Sequence, residues 1–545
     1  MSEMMFAMKK SRCYRASQTR LTRPGRCETG GVPGGMPVQQ ARFFMSTFLR
    51  GARVVPVFSL ALAAFLPLTA AAQNAFAPGG NDYPITGPLP GDQTMPHMAL
   101  RTNGGFIVWQ DNAADGNGLG IRAQRLDANF NRLGPLFRVN SIAAFDQEKP
   151  QVATLTNGGA VVVWQGGRQG FQKIYARFIP VTGTNLTPAA DLMVNTYTNE
   201  YQINPAVAVL KDGNIIVVWA SFGQDGDKQG IYGQRLSPTG TKLGAEFPIN
   251  QYPLNNQRTP SVAALADGGF VVTWISELQR DVNRSVDVYA RRYNASGTAL
   301  GNEFPVNPLP TRVCANPVVA AAPDGGFAVA WSQREALVNT FSGSQATVPN
   351  GATFFSENSW DVFTRLYNAA GQPVSDPVRL NSFTFGDQYA PRIAACGSTW
   401  LSVWQSLGQD GSREGIYGQF FGAGGQLLGV EFRVNSDPGS RQLHPVVASD
   451  GRKRFLTAWA SFATSGTFDV FGRSYEMIEV TIAPIAGGVR LTWNTMPGAR
   501  YQVQMSTNYS TWTNFGAVRT AAGHTDSVDV VAGQASAVYR VVRVP

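Results

Sequence analysis

The chain is 545 residues long with a formal charge of +9, which leaves room for more than one domain and a large core. That charge sits at one end: residues 1–72 hold ten Lys/Arg and two Asp/Glu, while the remainder holds 35 Lys/Arg and 34 Asp/Glu. A body this close to neutral has no bulk field to steer DNA or RNA, so no nucleic-acid partner is expected.

The first element is a leader, residues 1–72. Arg50 and Arg53 precede an apolar run from Val54 to Leu68, and Thr69-Ala70-Ala71-Ala72-Gln73 follows. A charged start, a short apolar stretch and an A-x-A site read as a secretion signal cut after Ala72. The run is interrupted by Pro56 and Pro67 and is short for a bilayer span, so a transmembrane anchor is the weaker reading and no membrane insertion is expected after cleavage. The Gly-rich basic stretch before Met45 fits no signal sequence, which places the expected translation start at Met45. Gln73 stands where a lipoprotein would need Cys. The expected location is secreted, extracellular or periplasmic.

From residue 73 to 476 one pattern recurs. Its markers are Trp109, Trp164, Trp219, Trp274, Trp331, Trp404 and Trp459, spaced 55, 55, 55, 57, 73 and 55 apart. Each copy has four runs rich in Val, Ile, Phe and Tyr, here a to d, which read as short strands. Strand a is P-x-V-A-x-L, and an Asn/Asp-Gly turn (Asn103-Gly104, Asn157-Gly158, Asp212-Gly213, Asp267-Gly268, Asp324-Gly325, Asp450-Gly451) leads to strand b, which ends at the Trp. These dipeptides tolerate the positive φ angles of a two-residue hairpin. Strand c begins at Ile121, Ile174, Ile231, Val288, Val362, Ile416 and Val470, and strand d ends at Asn140, Asn195, Asn250, Asn307, Asn381 and Asn435. Four strands per repeat of this length predict the blades of a β-propeller.

The seventh copy lacks strand d, and its missing piece stands at the other end of the chain. Residues 82–86, D-Y-P-I-T, match E-F-P-I-N at 246–250, and Thr86 lies ten residues before Pro96, as each strand-d Asn does before the next Pro. The prediction is an all-β chain: a seven-bladed β-propeller over 73–476, closed by the N-terminal strand 82–86, followed by a small β-sandwich over 477–545. Length variation concentrates between each Trp and strand c, at 12, 10, 12, 14, 31, 12 and 11 residues. Variable b–c loops on a rigid frame are where binding usually resides.

The text D-G-G-F-V-V-T-W (267–274), with G-Q-D-G…G-I-Y-G-Q-R-L (223–236) and L-G-A-E-F-P-I-N (243–250), resembles a family of repeats in large secreted bacterial proteins. Those repeats often stand beside hemolysin-type calcium-binding arrays; the resemblance covers residues 82–475 and implies no assigned chemistry. The nonapeptide array G-G-x-G-x-D does not occur in this sequence, so calcium binding is not implied with it. Residues 477–545 resemble the abbreviated fibronectin type III-like modules at the C-termini of secreted bacterial proteins, on the runs V-R-L-T-W, Y-Q-V-Q, W-T-N-F and Y-R-V-V.

Candidate residues each have a structural reading beside a functional one. The seven Trp form either a stacking ring or, as preferred, the packing between blades. Gln93, Gln147, Gln202, Gln257, Gln388 and Gln442 stand three residues before each strand-a Pro, with Cys314 in the seventh place. They would line a pore or, as preferred, tie adjacent d–a loops together. Cys314 and Cys396 fall at different levels of their strands and are expected to be free. Asp225, Asp227 and Asp410 sit in Gly-containing b–c loops; a weak calcium site is the alternative to plain turns. No other cofactor is expected. His97 and His444 flank strand-a prolines of neighbouring copies, with Asp92 and Asp437 near in sequence, and would make a metal or acid–base pocket only if they converge. The long fifth insertion, Ser332 to Trp360, ends in Phe354, Phe355 and Trp360, which would stack on a sugar or equally pin the loop down.

Two functions remain. The preferred one is a non-enzymatic surface-interaction protein that binds a glycan or a cell-surface protein through the b–c loop face. The rival is a carbohydrate-active hydrolase or lyase. A glycosidase needs two facing carboxyls, and Asp92, Asp146, Glu148, Glu277, Glu335 and Asp387 are the available ones near that face. No Asp-box, G-x-S-x-G or H-E-x-x-H occurs.

Overall fold

A computed structural model describes residues 71–72, 75–335, 345–347, 353–355, 359–462, 466–495, 497–508, 511–531 and 537–544. All regular structure among them is β-strand. The expected leader lies outside the described residues except for Ala71–Ala72, as does most of the fifth insertion.

The strands form seven antiparallel sets of four. Six run in chain order. In the seventh, Gln442–Ser449, Arg454–Phe462 and Phe468–Ile478 are joined at the outer edge by Tyr83–Pro84, which pairs with Gly472 and Phe471. Each first strand touches the first strand of the next set, and Gln442–Ser449 touches Gln93–Arg101, so the sets close into a ring whose axis is lined by first strands.

Burial on both faces explains the sequence of the second strands. Ile215, Val217 and Trp219 pack toward the second set, while Ile216, Val218 and Ala220 pack toward the fourth, all fully buried. A strand covered on both sides reads as a continuous apolar run rather than an alternation. The seven repeat Trp are at most 1% exposed. Trp164, Trp274 and Trp331 stack on Tyr175, Tyr289 and Phe363, their direct partners in the third strand. Truncating such a residue to Ala typically costs about 3–5 kcal/mol.

The a–b turns differ from the two-residue hairpins expected. At Asn157, Asp212, Asp267 and Asp324 only the following Gly has positive φ. The Gly N–H returns to the residue three before it, and that residue's N–H reaches one position beyond the Gly, as in Gly268 to Leu265 and Leu265 to Gly269. This is a longer turn with one left-handed residue, and the Asp side chain serves it by accepting an N–H, as Asp267 does from Gly269 at 2.9 Å.

A second regularity escaped the sequence. Met95, Lys149, Asn204, Thr259, Asn316, Ala390 and His444, each immediately before a strand-a Pro, all have φ between 49° and 55°. At each one the a–b register slips, as between Thr94 and His97. These are β-bulges, and each Pro, which lacks an N–H, stands where the ladder is interrupted.

The C-terminal residues form two sheets. Val480–Ile485, Gly488–Asn494 and Thr525–Val531 make one; Arg500–Ser506, Thr513–Thr520 and Val538–Val544 make the other, with Ala71–Ala72 parallel to its edge. Leu491, Trp493, Tyr501 and Val541 share their core with Ala77. Ala75–Pro78 also pairs with Tyr475–Ile478, and Phe76 stacks on Phe420 at 5.2 Å. The N-terminal segment therefore packs against both the ring and the C-terminal sheets.

Candidate functional site: the b–c loop face and the axis

A closed ring must satisfy its own polar backbone before any side chain is spare for a ligand. The strand-d Asn residues do part of this: Asn250 Oδ1 accepts the N–H of Ile231 at 2.7 Å, and Asn140, Asn195, Asn307, Asn381 and Asn435 do the same in their sets. The Gln residues three before each Pro hold their own d–a loop, not a neighbouring one. Gln257 Nε2 donates to Leu254 O at 2.7 Å and its Oε1 accepts from Asn250 Nδ2 at 3.3 Å. The expected tie between adjacent loops is thus corrected to a tie between the last strand of one set and the first of the next. Cys314, in the seventh such place, and Cys396 are free and buried, and burial pushes the Cys314 thiol well up.

Carboxylates are spent the same way. Glu303 takes the N–H groups of Gln251 and Tyr252 at 2.6 and 3.2 Å. Glu246 takes those of Thr196 and Tyr197, Glu431 those of Ser382 and Phe383, and Asp191 those of Ser141 and Ile142. Each is a strand-d acid clamping the d–a loop of the preceding set. The carboxyls singled out as a possible catalytic pair are also engaged. Asp92 binds Asn112 and the Phe468 N–H, Asp146 the Leu119 N–H, Glu148 Gln165, and Glu277 both Arg258 and Asn256. Asp387 accepts the Trp360 N–H at 3.2 Å, and burial raises its carboxyl. The Glu335 side chain lies outside the described residues.

The candidate pockets are redrawn accordingly. His97 and His444 are not joined by Asp92 or Asp437; Asp437 accepts its own loop's Gly439 N–H at 2.7 Å. His97 Nδ1 instead accepts the Val152 N–H at 3.1 Å from the neighbouring first strand. That edge has no strand partner, so the imidazole serves as its acceptor. Burial first, then the charge of Arg392, depresses His97 to about 3 and His444 to about 4, with Arg441 a further cause at His444. Both are neutral near pH 7.

Among the described residues no group of three or more His, Cys, Asp or Glu converges as a metal site. Asp227 Oδ2 accepts the Asn255 N–H at 2.6 Å and Asp410 Oδ1 the Ser412 N–H at 3.1 Å, while Asp225 Oδ1 faces the Asp227 N–H at 3.4 Å. Asp225 and Asp227 share one loop and Asp410 stands in another; Asp225 and Asp410 accept within their own Asp-Gly turns, while Asp227 reaches the neighbouring d–a loop. Phe354 and Phe355 lie on a strand, Thr353–Phe355, paired with Gln345–Thr347; their side chains lie outside the described residues. Trp360 is held by the Arg334 guanidinium, 4.8 Å from its ring centroid.

The face does carry a cleft of about 480 Å³, lined by Phe383, Gln409, Asp410, Tyr417 and Arg433 with Gly408 and Gly411. The b–c loop of the sixth set supplies Gln409 and Asp410, its third and fourth strands supply Tyr417 and Arg433, and the preceding d–a loop supplies Phe383. Gln409 Nε2 is anchored on Glu431 at 3.2 Å. Burial and then the Asp410 charge push the Tyr417 phenol up to about 12, so it stays a neutral donor and apolar wall. Asp410 Oδ2 is buried without a hydrogen-bond partner among the described residues. An aromatic wall beside a carboxylate, an amide and a guanidinium suits a polyhydroxylated ligand. Sequence reading placed Tyr417 with its structural siblings and missed Phe383, Gln409 and Arg433; the signal was the repeated G-Q-D-G loop shared only with 223–226.

A second cleft of about 370 Å³ on the a–b turn side is lined by Asp450, Lys453, Arg454, Glu476 and Asn494 among others. Its charges are matched, Arg454 by Asp450 within the a–b turn at 2.9 Å and Lys453 by Glu479 across the seam at 2.7 Å. It is a junction between the ring and the C-terminal sheets rather than a ligand site.

No family model matches the sequence, and no curated protein matches it. Among solved structures, the chain is similar to a protein of unknown function from Dyadobacter fermentans at 12% identity and TM-score 0.41, covering 62% of this chain and 97% of that one. It is similar to a GH93 α-L-arabinofuranosidase of Fusarium graminearum at 12% identity and TM-score 0.41, covering 60% and 92%. A subtype N10 neuraminidase-like protein of A/little yellow-shouldered bat/Guatemala/060/2010 gives 10% identity and TM-score 0.37, covering 75% and 100%. Likenesses this distant transfer neither activity nor site residues.

Proposed function

We propose that the ring is a seven-bladed β-propeller completed by its N-terminal strand, carrying a fibronectin type III-like module, and that the protein is a secreted, non-enzymatic glycan binder. The ligand seats on the b–c loop face, at the cleft formed by Phe383, Gln409, Asp410, Tyr417 and Arg433. That cleft is the observation that carries the reading: it combines an aromatic wall with three kinds of hydrogen-bonding group. Asp92, Asp146, Glu148, Glu277 and Asp387, the candidate catalytic carboxylates whose side chains are described, are bonded to loop N–H groups, amides and Arg258, which favours binding over turnover at those positions. Among the described residues Arg433 donates only to Ser436 O, at 3.2 Å, so its substitution removes one scaffold bond and leaves the rest in place.

The test is a glycan array and a polysaccharide-hydrolysis screen with the chain from residue 73 onward. The expected result is retention of at least one glycan class without released sugar, weakened about ten-fold or more by Arg433→Gln, since a hydrogen bond to a charged group contributes roughly 1.5–3 kcal/mol. Released sugar that Asp387→Asn abolishes would establish the hydrolase or lyase instead. Absence of retention on every glycan would overturn the glycan reading.

A further inference from the structure

The loop that builds the b–c cleft occurs twice in the ring. G-Q-D-G stands at 408–411 in the sixth set and at 223–226 in the third, four positions after Trp404 and Trp219, and Tyr417 and Tyr232 each follow their Trp by 13 residues. The two backbones close alike. Gly223 N–H donates to Lys228 O and Gly408 N–H to Arg413 O, both at 2.6 Å. Gly226 N–H faces Gly223 O at 3.4 Å, and Gly411 N–H reaches Gly408 O at 3.2 Å. All four glycines have φ between 70° and 97°, a region closed to most side chains.

The side chains converge as the backbones do. In the sixth set Glu431 accepts the Phe383 N–H at 3.1 Å and Gln409 Nε2 at 3.2 Å, which brings aromatic wall and amide together. In the third set Glu246 Oε1 accepts the Tyr197 N–H and Gln224 Nε2, each at 2.8 Å. A glycine fixes the other half of each site. A Cβ on Gly415 would lie 2.5 Å from Asp410 Oδ2 and 3.4 Å from Tyr417 Cε2; on Gly230 it would lie 2.3 Å from Asp225 Oδ2 and 3.4 Å from Tyr232 Cε2. Carboxylate and phenol ring therefore meet over a residue without a side chain in both sets. The Tyr197 hydroxyl stands 3.8 Å from where a Cβ on Gly223 would be, at the head of the same loop.

Other sets spend these groups on the scaffold. In the first, Asp115 Oδ2 accepts Asn140 Nδ2 at 2.7 Å, and Arg122 stands opposite Trp109 where Tyr232 stands opposite Trp219. In the fourth, Arg280 binds Asp287 and the Pro308 carbonyl across the loop. In the third, by contrast, Asp225 Oδ2 and Gln224 Oε1 have no hydrogen-bond partner among the described residues, and Asp410 Oδ2 has none in the sixth. One difference separates the two copies in chemistry. Arg433 is the direct cross-strand partner of Tyr417, whereas Pro248 is the partner of Tyr232.

We propose that Tyr197, Gln224, Asp225 and Tyr232 form a second sugar site, which takes a neutral sugar while the sixth-set cleft also takes an acidic one. The site rests on the glycan reading above and adds a second point of attachment to it. Tyr197 offers an aromatic face for the apolar side of a sugar ring, and the amide and carboxylate take its hydroxyls. A carboxylate with no guanidinium in this register repels an acidic sugar, which sets the two sites apart. With both sites on one rigid ring, a repeating polysaccharide is retained more tightly than either site alone allows.

The experiment follows the backbone amides of Gly223, Gly226, Gly408 and Gly411 in the full-length protein by NMR. Methyl β-glucoside, methyl β-galactoside and sodium glucuronate are titrated separately at constant ionic strength. The expected result is saturable movement at both loops with a neutral glycoside, and movement at Gly408 and Gly411 alone with glucuronate. Tyr197→Ala keeps the N–H that Glu246 holds, and should weaken the third-set response about five-fold or more with the sixth unchanged. Pro248→Arg supplies the missing guanidinium in a register where Arg138, Arg379 and Arg433 already stand. It should tighten glucuronate at Gly223 and Gly226 about ten-fold or more. Movement confined to Gly408 and Gly411 with every probe overturns the second site and leaves the glycan reading standing. A third-set response unchanged in Tyr197→Ala overturns it as well. No movement at either loop with any of the three probes overturns the second site, whatever the glycan array shows for the wider reading.

Discussion

At the scale of single residues, chemistry in this molecule is decided by what the backbone has left over. His97 looks like a ligand in the sequence and is an acceptor for Val152 in the structure. Its sibling Ser261 does the same for Val319 at 3.2 Å, which shows that the position serves the unpaired inner edge. Sequence alone could not separate these uses, since the partner lies 55 residues away in the next repeat. The depressed imidazoles have a consequence for stability. The ordinary histidine value is 6.5, against about 3 for folded His97 and about 4 for His444. Between those values the unfolded chain binds more protons, so this contribution is complete above pH 6.5 and is lost as pH falls toward 4. The double variant His97→Gln, His444→Gln should therefore show a flatter loss of denaturation midpoint between pH 6.5 and 5 than the parent, above the range where most carboxylates titrate. Equal slopes in urea melts across that window would contradict it.

At the scale of elements, strand pattern was legible and strand linkage was not. Apolar runs ending in Trp, with Asp-Gly behind and F-x-V-N ahead, located every set because a strand buried on both faces cannot hide its composition. The left-handed residue before each Pro left no trace, since Met, Lys, Asn, Thr, Ala and His all occupy it and the bulge is imposed by the ring. The role of the strand-d acids was likewise not visible in the sequence, since their partners lie about 50 residues away in the preceding set. Glu303 holds two loop N–H groups from the preceding set and receives Gln279 Nε2 at 2.6 Å. Removing such an acceptor leaves its half-exposed donors to water, at about 0.5–1.5 kcal/mol. Glu303→Ala should lower stability by about that amount and speed amide exchange at Gln251 and Tyr252, with exchange at Phe270–Glu277 unchanged. Uniform acceleration across the ring would mean that the clamp is not local.

At the scale of the whole molecule, closure rests on a segment at the far end of the chain. Tyr83–Pro84 supplies the outer strand of the seventh set, and Ile85, fully buried, packs where an added Cβ on Gly472 would lie 2.4 Å from its Cδ1. Upstream, Ala75–Pro78 continues along the same strand and Phe76 fills the space between Phe420 and Phe455. The match of D-Y-P-I-T to E-F-P-I-N made the first of these visible in the sequence; the second repeats nothing and was invisible. A chain beginning at residue 88 loses both. Burying Ile85 contributes about 1.5–3 kcal/mol and the partly buried Phe76 less, and their loss also opens the outer edge of Phe468–Ile478 to pairing with other chains. The truncated protein should melt several degrees lower and form dimers or larger species by light scattering. A synthetic peptide of residues 75–87 added in excess should restore both the monomer and the melting temperature, because it refills the same edge. Gly472→Ala, which crowds Ile85 without removing the strand, should fall between the parent and the truncation. A truncated chain with unchanged melting and mass would show that the ring holds without its N-terminal strand.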